Sequence, residues 1–400
     1  MGRRWNCVPI AQIATRVQRP ESVDSTKTYR LLGAHWYAKG LYVKDEKPGA
    51  EIRASKLFAV RAGDFVYNRL FAWKGSFALA KEEHDGCFVS GEFPCFQLDS
   101  ERISPRFLWL YFSREAAWLQ SLGLSTGSTP TSRNRLKEGQ FLKMQVPLPP
   151  LDEQRRIVAR IEGLAALIEE AQELRAKAGE DAEALPFEAF RELCAQGVAQ
   201  GWSSRRLREV CDINPSRSQR TNYPDHMLVS FVPMSAVDAV TGCIERSEVK
   251  PYSEVKRGYK WFVEGDVIFA RITPCMQNGK SAIAREVVNA VAFGSTEFHV
   301  LRPRGEVTAE WIHLIVRQPS FRLEAERSFK GSAGQQRVPR GFLEEYKIPV
   351  PMLAEQRRVV AQVAALQAQA AELTRLQDAT QAELDALLPS VLDRAFKGDL

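Results

Sequence analysis

Two stretches of the chain place apolar side chains at alternating spacings of four and three. The first runs through Ile157, Ile161, Leu164, Ile168 and Ala171, the second through Val359, Val363, Leu366, Ala370 and Leu373. That spacing is a heptad seam, and it predicts two long amphipathic helices rather than strands. The second seam continues through Gln377 and Thr380 to Leu384, Leu387 and Val391. Roughly 30 to 40 helical residues make a rod on the order of 45–60 Å long. Seams so narrow and otherwise unpartnered should pack on each other. Prolines precede each helix, Pro147 and Pro149 in one case and Pro349 and Pro351 in the other. Asp152 is suited to cap the first helix, with Glu153 in its first turn, whereas Ala354 at the matching site is a poor cap.

The same patterning exposes a repeat. "PLPPLDEQRRIVARIEGL" from Pro147 returns as "PVPMLAEQRRVVAQVAAL" from Pro349, an offset of 202 residues. "GDFVYNRLFAWKGSFALA" from Gly63 returns at the same offset as "GDVIFARITPCMQNGKSAIA" from Gly265. Each copy has a Gly-Asp pair, an alternating apolar strand (Phe65, Tyr67; Val267, Phe269), a basic residue (Arg69; Arg271) and a polar return. This is a β-hairpin with a variable basic tip. "ALPFEAFRELCAQG" and "ALLPSVLDRAFKGD" close the two halves. The expected fold is α+β: two mixed domains in tandem pseudo-twofold repeat, joined by two long helices forming an antiparallel coiled coil. The expected boundaries are 1–148 and 200–350 for the domains, and 149–199 and 351–400 for the helical regions.

The Gly-Lys-Ser of the second hairpin does not make a phosphate loop. The position where such a loop needs its first glycine is Pro274, which lacks an N–H, and the first copy has no Gly-Lys-Ser. Seven cysteines without a Cys-x-x-Cys pair, and five histidines without ligand spacing, support neither a disulfide framework nor a metal site. No apolar run reaches bilayer length, and no signal-peptide core follows Met1, so a cytoplasmic protein without membrane contact is expected.

Charge refines the picture. The net +6 divides into +8 over residues 1–150, −5 over 151–200, +5 over 201–350 and −2 over 351–400. Two basic domains separated by acidic helices suit a protein that places both domains on one DNA duplex. On an antiparallel rod the domains would sit at opposite ends facing the same way. Each would read a short stretch, leaving an unread spacer of a little over one turn of about 34 Å.

The doubled "PLPPLDEQRRIV" and "PVPMLAEQRRVV", the "GDVIFARITPCMQNGKSAIA…FGSTEFHVLRP" run and "VSFVPMSAVD" from Val229 resemble the specificity subunit of type I restriction-modification enzymes. The resemblance spans essentially the whole chain. It implies two target-recognition domains on paired helices that dock two methyltransferase subunits and, through them, the restriction subunits. It also implies a chain with no catalytic activity and no cofactor, with S-adenosylmethionine, ATP and Mg belonging to the partner subunits. The chain starts almost at the first domain, so no extra N-terminal helix is expected. No adenine-methyltransferase signature is present: Asn214-Pro215 is followed by Ser216 and Arg217, without the second proline and aromatic that would clamp a flipped base.

Base reading favours side chains that offer two coplanar hydrogen bonds. The Gly-Ser loops concentrate them: Thr131, Ser132, Arg133, Asn134, Arg135 and Lys137 near Gly127, and Gln335, Gln336, Arg337 and Arg340 near Gly331 and Gly334. The hairpins add Arg69 and Lys74, then Arg271, Gln277, Asn278 and Lys280. The repeated quartets Glu153, Gln154, Arg155, Arg156 and Glu355, Gln356, Arg357, Arg358 are the candidates for subunit docking or helix crossing. The aromatic runs Phe107–Phe112 and Trp311–Ile315 read as buried helices. Two rival readings stay open. One is a Mg-dependent nuclease built on Asp225, Glu248 and Lys250, and the other is a coiled-coil scaffold that does not bind DNA.

Overall fold

The computed structural model describes residues 5–127, 134–216, 223–332 and 335–399. It divides into two compact units, Met1–Ala176 with Gln377–Leu400, and Lys177–Leu376. Each unit therefore contains a globular block, the start of the helix that leaves that block and the end of the other long helix.

The sheets repeat from unit to unit. In the first, an antiparallel sheet runs in the order Ala14–Val17, Cys95–Leu98, Phe65–Tyr67, Phe77–Leu79. In the second, the order is Cys211–Ile213, Phe298–Pro303, Val267–Ala270, Ser281–Ile283. The expected hairpins are thus the inner and edge strands of these sheets. Their inner strands are buried along their whole length, because both sheet faces are covered. Phe65 and Tyr67 enter the main core of the first unit, while Val66 enters a smaller cluster with Leu32 and Val89. Val267 and Phe269 likewise part from Ile268. Strand alternation here sorts side chains between two cores rather than between core and water.

A second, mixed sheet completes each block. Five strands in the first unit include the hairpin Thr28–Ala34 with Leu41–Pro48, and four in the second centre on Leu228–Val232. Short ladders tie each block's entry to its exit: Cys7–Pro9 pairs with Gln145–Pro147, and Ser203–Arg206 pairs with Lys347–Val350. Helices Pro105–Phe112 and Ala309–Arg317 supply the aromatic core, with Phe107, Phe112 and Trp311 wholly buried.

The long helices are Leu151–Ala199 and Leu353–Lys397. The first begins two residues earlier than expected, so Asp152 lies inside its first turn instead of capping it. In the first unit the two helices run antiparallel. Arg175 meets Gln377, while Ile161 and Ala165 line one cleft with Leu388 and Leu392. Ile157 and Ile161 share a core with Leu392, Ala395 and Phe396, and the Phe396 ring lies 5.0 Å from that of Phe107 at a tilt of 53°. In the second unit Phe190 meets Trp311 at 5.1 Å within a core that includes Val359 and Val363. Leu387, an expected seam residue, is exposed. An α-helix drifts about 20° per heptad from a strict seven-residue repeat, and four heptads separate Val359 from Leu387. The buried face has by then moved to Leu392, Ala395 and Phe396.

Candidate nucleic-acid interface

Both hairpins start from the same local chemistry. Gly63 and Gly265 take φ values of +85° and +84°, a region that disfavours a Cβ, and turn the chain into the strand. The buried carboxylates that follow accept backbone N–H groups, Asp64 from Arg61 at 2.9 Å and Asp266 from Val263 at 2.8 Å. Each is also clasped by an arginine fork, Arg19 on Asp64 and Arg302 on Asp266. The Gly-Asp pair therefore anchors the hairpin and does not contribute to its tip.

The hairpin arginines occupy matching frames. Arg69 donates its backbone N–H to the Glu92 carbonyl at 3.0 Å and accepts from Leu136 at 3.0 Å. Arg271 donates to Glu297 and accepts from Val338, both at 2.8 Å. This puts the hairpin arginine beside a second arginine of the Gly-Ser loop in each unit. Arg135 forks onto the Glu92 carboxylate at 3.2 Å, and Arg337 onto Glu297 at 2.9 Å. The offsets from Arg69 to Arg271 and from Arg135 to Arg337 are both 202, so the arrangement belongs to the repeat.

The electrostatics differ in detail. Arg271 lies 3.3 Å from Glu297, whose carboxyl is held below its ordinary range chiefly by the Arg337 hydrogen bond, against the opposing effect of burial. In the first unit Arg69 pairs with Glu138, which also takes Arg16 at 2.7 Å. The Nε atoms of Arg69 and Arg271 are both buried without a hydrogen bond.

In the second unit these residues open onto a cleft of about 620 Å3 lined by Lys260, Arg271, Lys330, Arg337 and Arg340. Burial lowers the Lys260 pKa, and the nearby Arg271 and Arg340 add to the effect. The floor holds Asn214 and His299. His299 Nε2 meets the Val338 carbonyl at 2.9 Å and Nδ1 meets Asn214 Nδ2 at 2.9 Å, an arrangement that puts the proton on Nε2. Asn214 Oδ1 accepts the Val300 N–H at 3.1 Å, giving Asn214 a structural post.

The remaining sequence candidates divide between surface and interior. Lys137, Asn278 and Gln335 are exposed, Gln336 is half-buried, and Arg340 pairs with Glu344 at 2.8 Å. Lys74 sits over the Trp36 ring at 3.8 Å. Lys280 turns inward to the Met234 carbonyl at 3.0 Å, so the lysine of the false phosphate loop is occupied. Asn134 is buried within a short strand pair. Thr131, Ser132, Arg133 and Gly334 lie outside the described residues.

Two members of the repeated quartets face the opposite way from a docking surface. Gln154 and Gln356 are wholly buried. Gln154 Oε1 accepts the Ser104 N–H at 2.7 Å, while Nε2 donates to the Arg102 and Pro149 carbonyls. Gln356 does the same with Thr308, Glu306 and Pro351. Each amide joins the N-cap residue of the domain's aromatic helix to the start of the long helix. The charged members stay outside, with Glu153 paired to Arg156, Glu355 to Arg358 and Arg155 to Asp152, and with Arg357 exposed.

The nuclease residues do not converge. Glu248 pairs with Lys250 at 2.8 Å and lies opposite Phe231 in the ladder. Asp225 lies beyond the other end of that strand, bound to Lys256 at 2.8 Å. Among the described residues no cluster of three His, Cys, Asp or Glu could hold a metal, and no helix is long and apolar enough to cross a membrane.

Glu92, Glu297, Arg16, Lys260 and Lys330 were not singled out from sequence. A signal existed for the first two, because a Glu-Phe pair stands at Glu92-Phe93 and Glu297-Phe298 in both copies.

Comparison with known proteins matches this architecture. The type I restriction modification DNA specificity domain fits residues 52–177 and 199–383. Over 202 residues the chain is 38% identical to the EcoEI specificity subunit and 35% identical to the EcoAI specificity subunit, both of Escherichia coli. Those matches cover 49% of this chain and 33% and 34% of the relatives, so the matched region spans about a third of their length. The HsdS subunit of Thermoanaerobacter tengcongensis superposes with a TM-score of 0.62 at 24% identity, covering 99% of this chain and 97% of that one. A chain from a structure describing assembly and conformational transition of the type I restriction-modification system gives 0.67 at 26% identity, covering 99% and 98%. With its two tandem copies of the domain, the chain belongs to the type I restriction modification DNA specificity family.

Proposed function

We propose that this chain is the DNA-reading subunit of a type I restriction-modification complex, with each globular block reading one half of a bipartite target. The observation that carries the reading is an arginine pair braced by carboxylate in both blocks, Arg135 on Glu92 beside Arg69 on Glu138, and Arg271 and Arg337 together on Glu297. Guanidinium forks suit guanine edges and phosphates, and the carboxylate keeps them aligned before DNA arrives. The charges at the helix starts, the exposed Arg155, Arg156, Arg357 and Arg358 with the half-buried Glu153 and Glu355, are where two methyltransferase subunits dock, and restriction subunits join through them. Methyl transfer with S-adenosylmethionine, and ATP- and Mg-dependent cleavage, belong to those partners.

The test is to map modified adenines on the host chromosome with and without this gene. A gene-dependent bipartite motif is expected. Exchanging residues 1–146 for another such domain should then change one half of the motif and leave the other. A continuous motif, or a chimera that alters both halves together, would overturn the two-reader model.

A further inference from the structure

The two blocks share their arginines but not the surface beside them. In the first unit the tip of the hairpin Thr28–Ala34 and Leu41–Pro48 lies against the tip of the hairpin that carries Arg69. Tyr37 donates its backbone N–H to the Lys74 carbonyl at 2.8 Å, and Ala38 donates to Gly75 at 2.7 Å. Tyr37 and Ala38 both take positive φ, 59° and 53°, an unfavourable conformation for residues with side chains that turns Trp36 and Tyr37 outward. Beneath them lies a cleft of about 610 Å3, a size typical of small-ligand sites. Its lining is rich in rings, among them Trp36, Tyr42, Phe71 and Phe93, includes Lys39 and Lys44, and contains no carboxylate.

Asn68 marks what such a cleft takes. The residue is 8% exposed and lines the cleft. Its Oδ1 accepts the Leu70 N–H at 2.9 Å, and its Nδ2, with no protein acceptor among the described residues, is open to the solvent of the cleft. An amide N–H that faces a cleft offers a hydrogen-bond donor to whatever enters it. The repeat-equivalent residue in the second unit is Ala270, which has no such group.

We infer that this cleft receives one unstacked base of the bound duplex, stacked against Trp36, accepting a hydrogen bond from Asn68 Nδ2 and with its phosphate near Lys39 and Lys44. The inference rests on the DNA-reading function proposed above and adds that only the first block engages its half-site in this way. Aromatic faces stack on any base, and the amide restricts the choice to bases that present an acceptor.

The test uses the full chain and duplexes carrying the mapped target, with a single mismatch moved through both half-sites and binding read by fluorescence anisotropy. Unstacking a paired base costs a few kcal/mol, and a mismatch removes part of that cost. At one position of the first block's half-site, a mismatch is therefore expected to tighten binding about ten-fold or more. Trp36→Ala and Asn68→Ala should each abolish that gain. Trp36 is an exposed tip residue, so its variant keeps the test valid if loss of the Asn68 cap unsettles the hairpin. Binding of the matched duplex with no such position, or a gain that survives both substitutions, would overturn the inference while leaving the DNA-reading function standing. Quenching of Trp36 by free deoxynucleotides without any mismatch response would assign the cleft to a soluble nucleotide and overturn the duplex-base reading. Failure to bind the duplex at all would overturn both.

Discussion

Arg175 and Gln377 are equivalent positions of the repeat, 202 residues apart, and each bonds the other's backbone. Arg175 Nη2 donates to the Gln377 carbonyl at 2.6 Å, and Gln377 Nε2 donates to the Arg175 carbonyl at 3.1 Å. In an antiparallel helix pair, a residue meets its own repeat equivalent only at the local centre of that pair. Because both acceptors are backbone, either side chain can occupy either position. The double exchange Arg175→Gln with Gln377→Arg should therefore melt within a degree or two of wild type. Replacing both with alanine should cost about 1–3 kcal/mol, given the typical worth of such hydrogen bonds. Thermal denaturation of the full chain checks both outcomes. A large loss in the exchanged chain would mean that the two side chains are not interchangeable.

Gln154 and Gln356 make a sharper prediction, because each wholly buried amide satisfies three backbone groups. Gln154→Ala would strip partners from the Ser104 N–H and the Arg102 and Pro149 carbonyls. Unsatisfied buried groups cost roughly 1–3 kcal/mol each, so each alanine should destabilise its unit by about 2–5 kcal/mol after relaxation and water entry. Urea unfolding would show this as a lower midpoint. Glutamate at either position should be nearly as harmful, since it cannot donate to the two carbonyls. A change in subunit association without a change in unfolding would restore a docking role to these glutamines.

The same glutamines show how far the sequence could be read. The repeat, the two long helices, the hairpins and the basic tips all follow from patterning at one offset, because burial and periodicity are written locally. Near-identity of the quartets marked Gln154 and Gln356 as important, but identity between copies is produced equally by a shared surface and by a shared interior contact. Only the fold shows that the amide turns inward while Glu153 and Arg156 remain outside. Similarly, Arg69 and Arg271 stood out as tip cations, yet the glutamates beside them lie more than twenty residues away in sequence, and the repeated Glu-Phe pair marks those glutamates without saying what they approach. The seam at Leu387 failed for a geometric reason, since strict heptad spacing drifts off the buried face of an α-helix.

Glu297 restrains two arginines, and its removal should be visible in DNA binding. Arg337 bonds it at 2.9 Å and Arg271 lies 3.3 Å away, all three partly exposed. Glu297→Gln removes a negative charge from the cleft edge and frees both guanidinium groups for phosphate. Affinity for a duplex of random sequence should rise several-fold, with a steeper dependence on salt, while discrimination for the proper target falls. Arg337→Ala should do the reverse, weakening binding and reducing the salt slope by about one phosphate contact. Anisotropy titrations between 50 and 200 mM salt would separate the two, both concentrations being ordinary choices for such slopes. Equal weakening by both substitutions would make the triad a structural brace.

Acid should weaken the second unit through His299. Burial pushes its pKa down to about 4, and the cationic neighbours Arg271, Lys260 and Arg340 act in the same direction. An unfolded histidine titrates near 6.5, so between about pH 6.5 and 4 the unfolded chain holds a proton that the folded site refuses. Stability contributed by the neutral imidazole is thus fully present above pH 6.5 and is lost as pH falls through that window. One such proton changes stability by about 1.4 kcal/mol per pH unit, or roughly 3 kcal/mol over the whole interval. His313, also pushed down to about 4 by burial beside Arg317, adds a second proton in the same unit. His299→Gln keeps an amide donor for the Val338 carbonyl and cannot titrate. Its unfolding free energy should therefore fall less steeply with acid, by close to one proton's worth. Denaturant unfolding from pH 7 to pH 4 measures the slope directly, and an unchanged slope would show that His299 titrates normally in the folded chain.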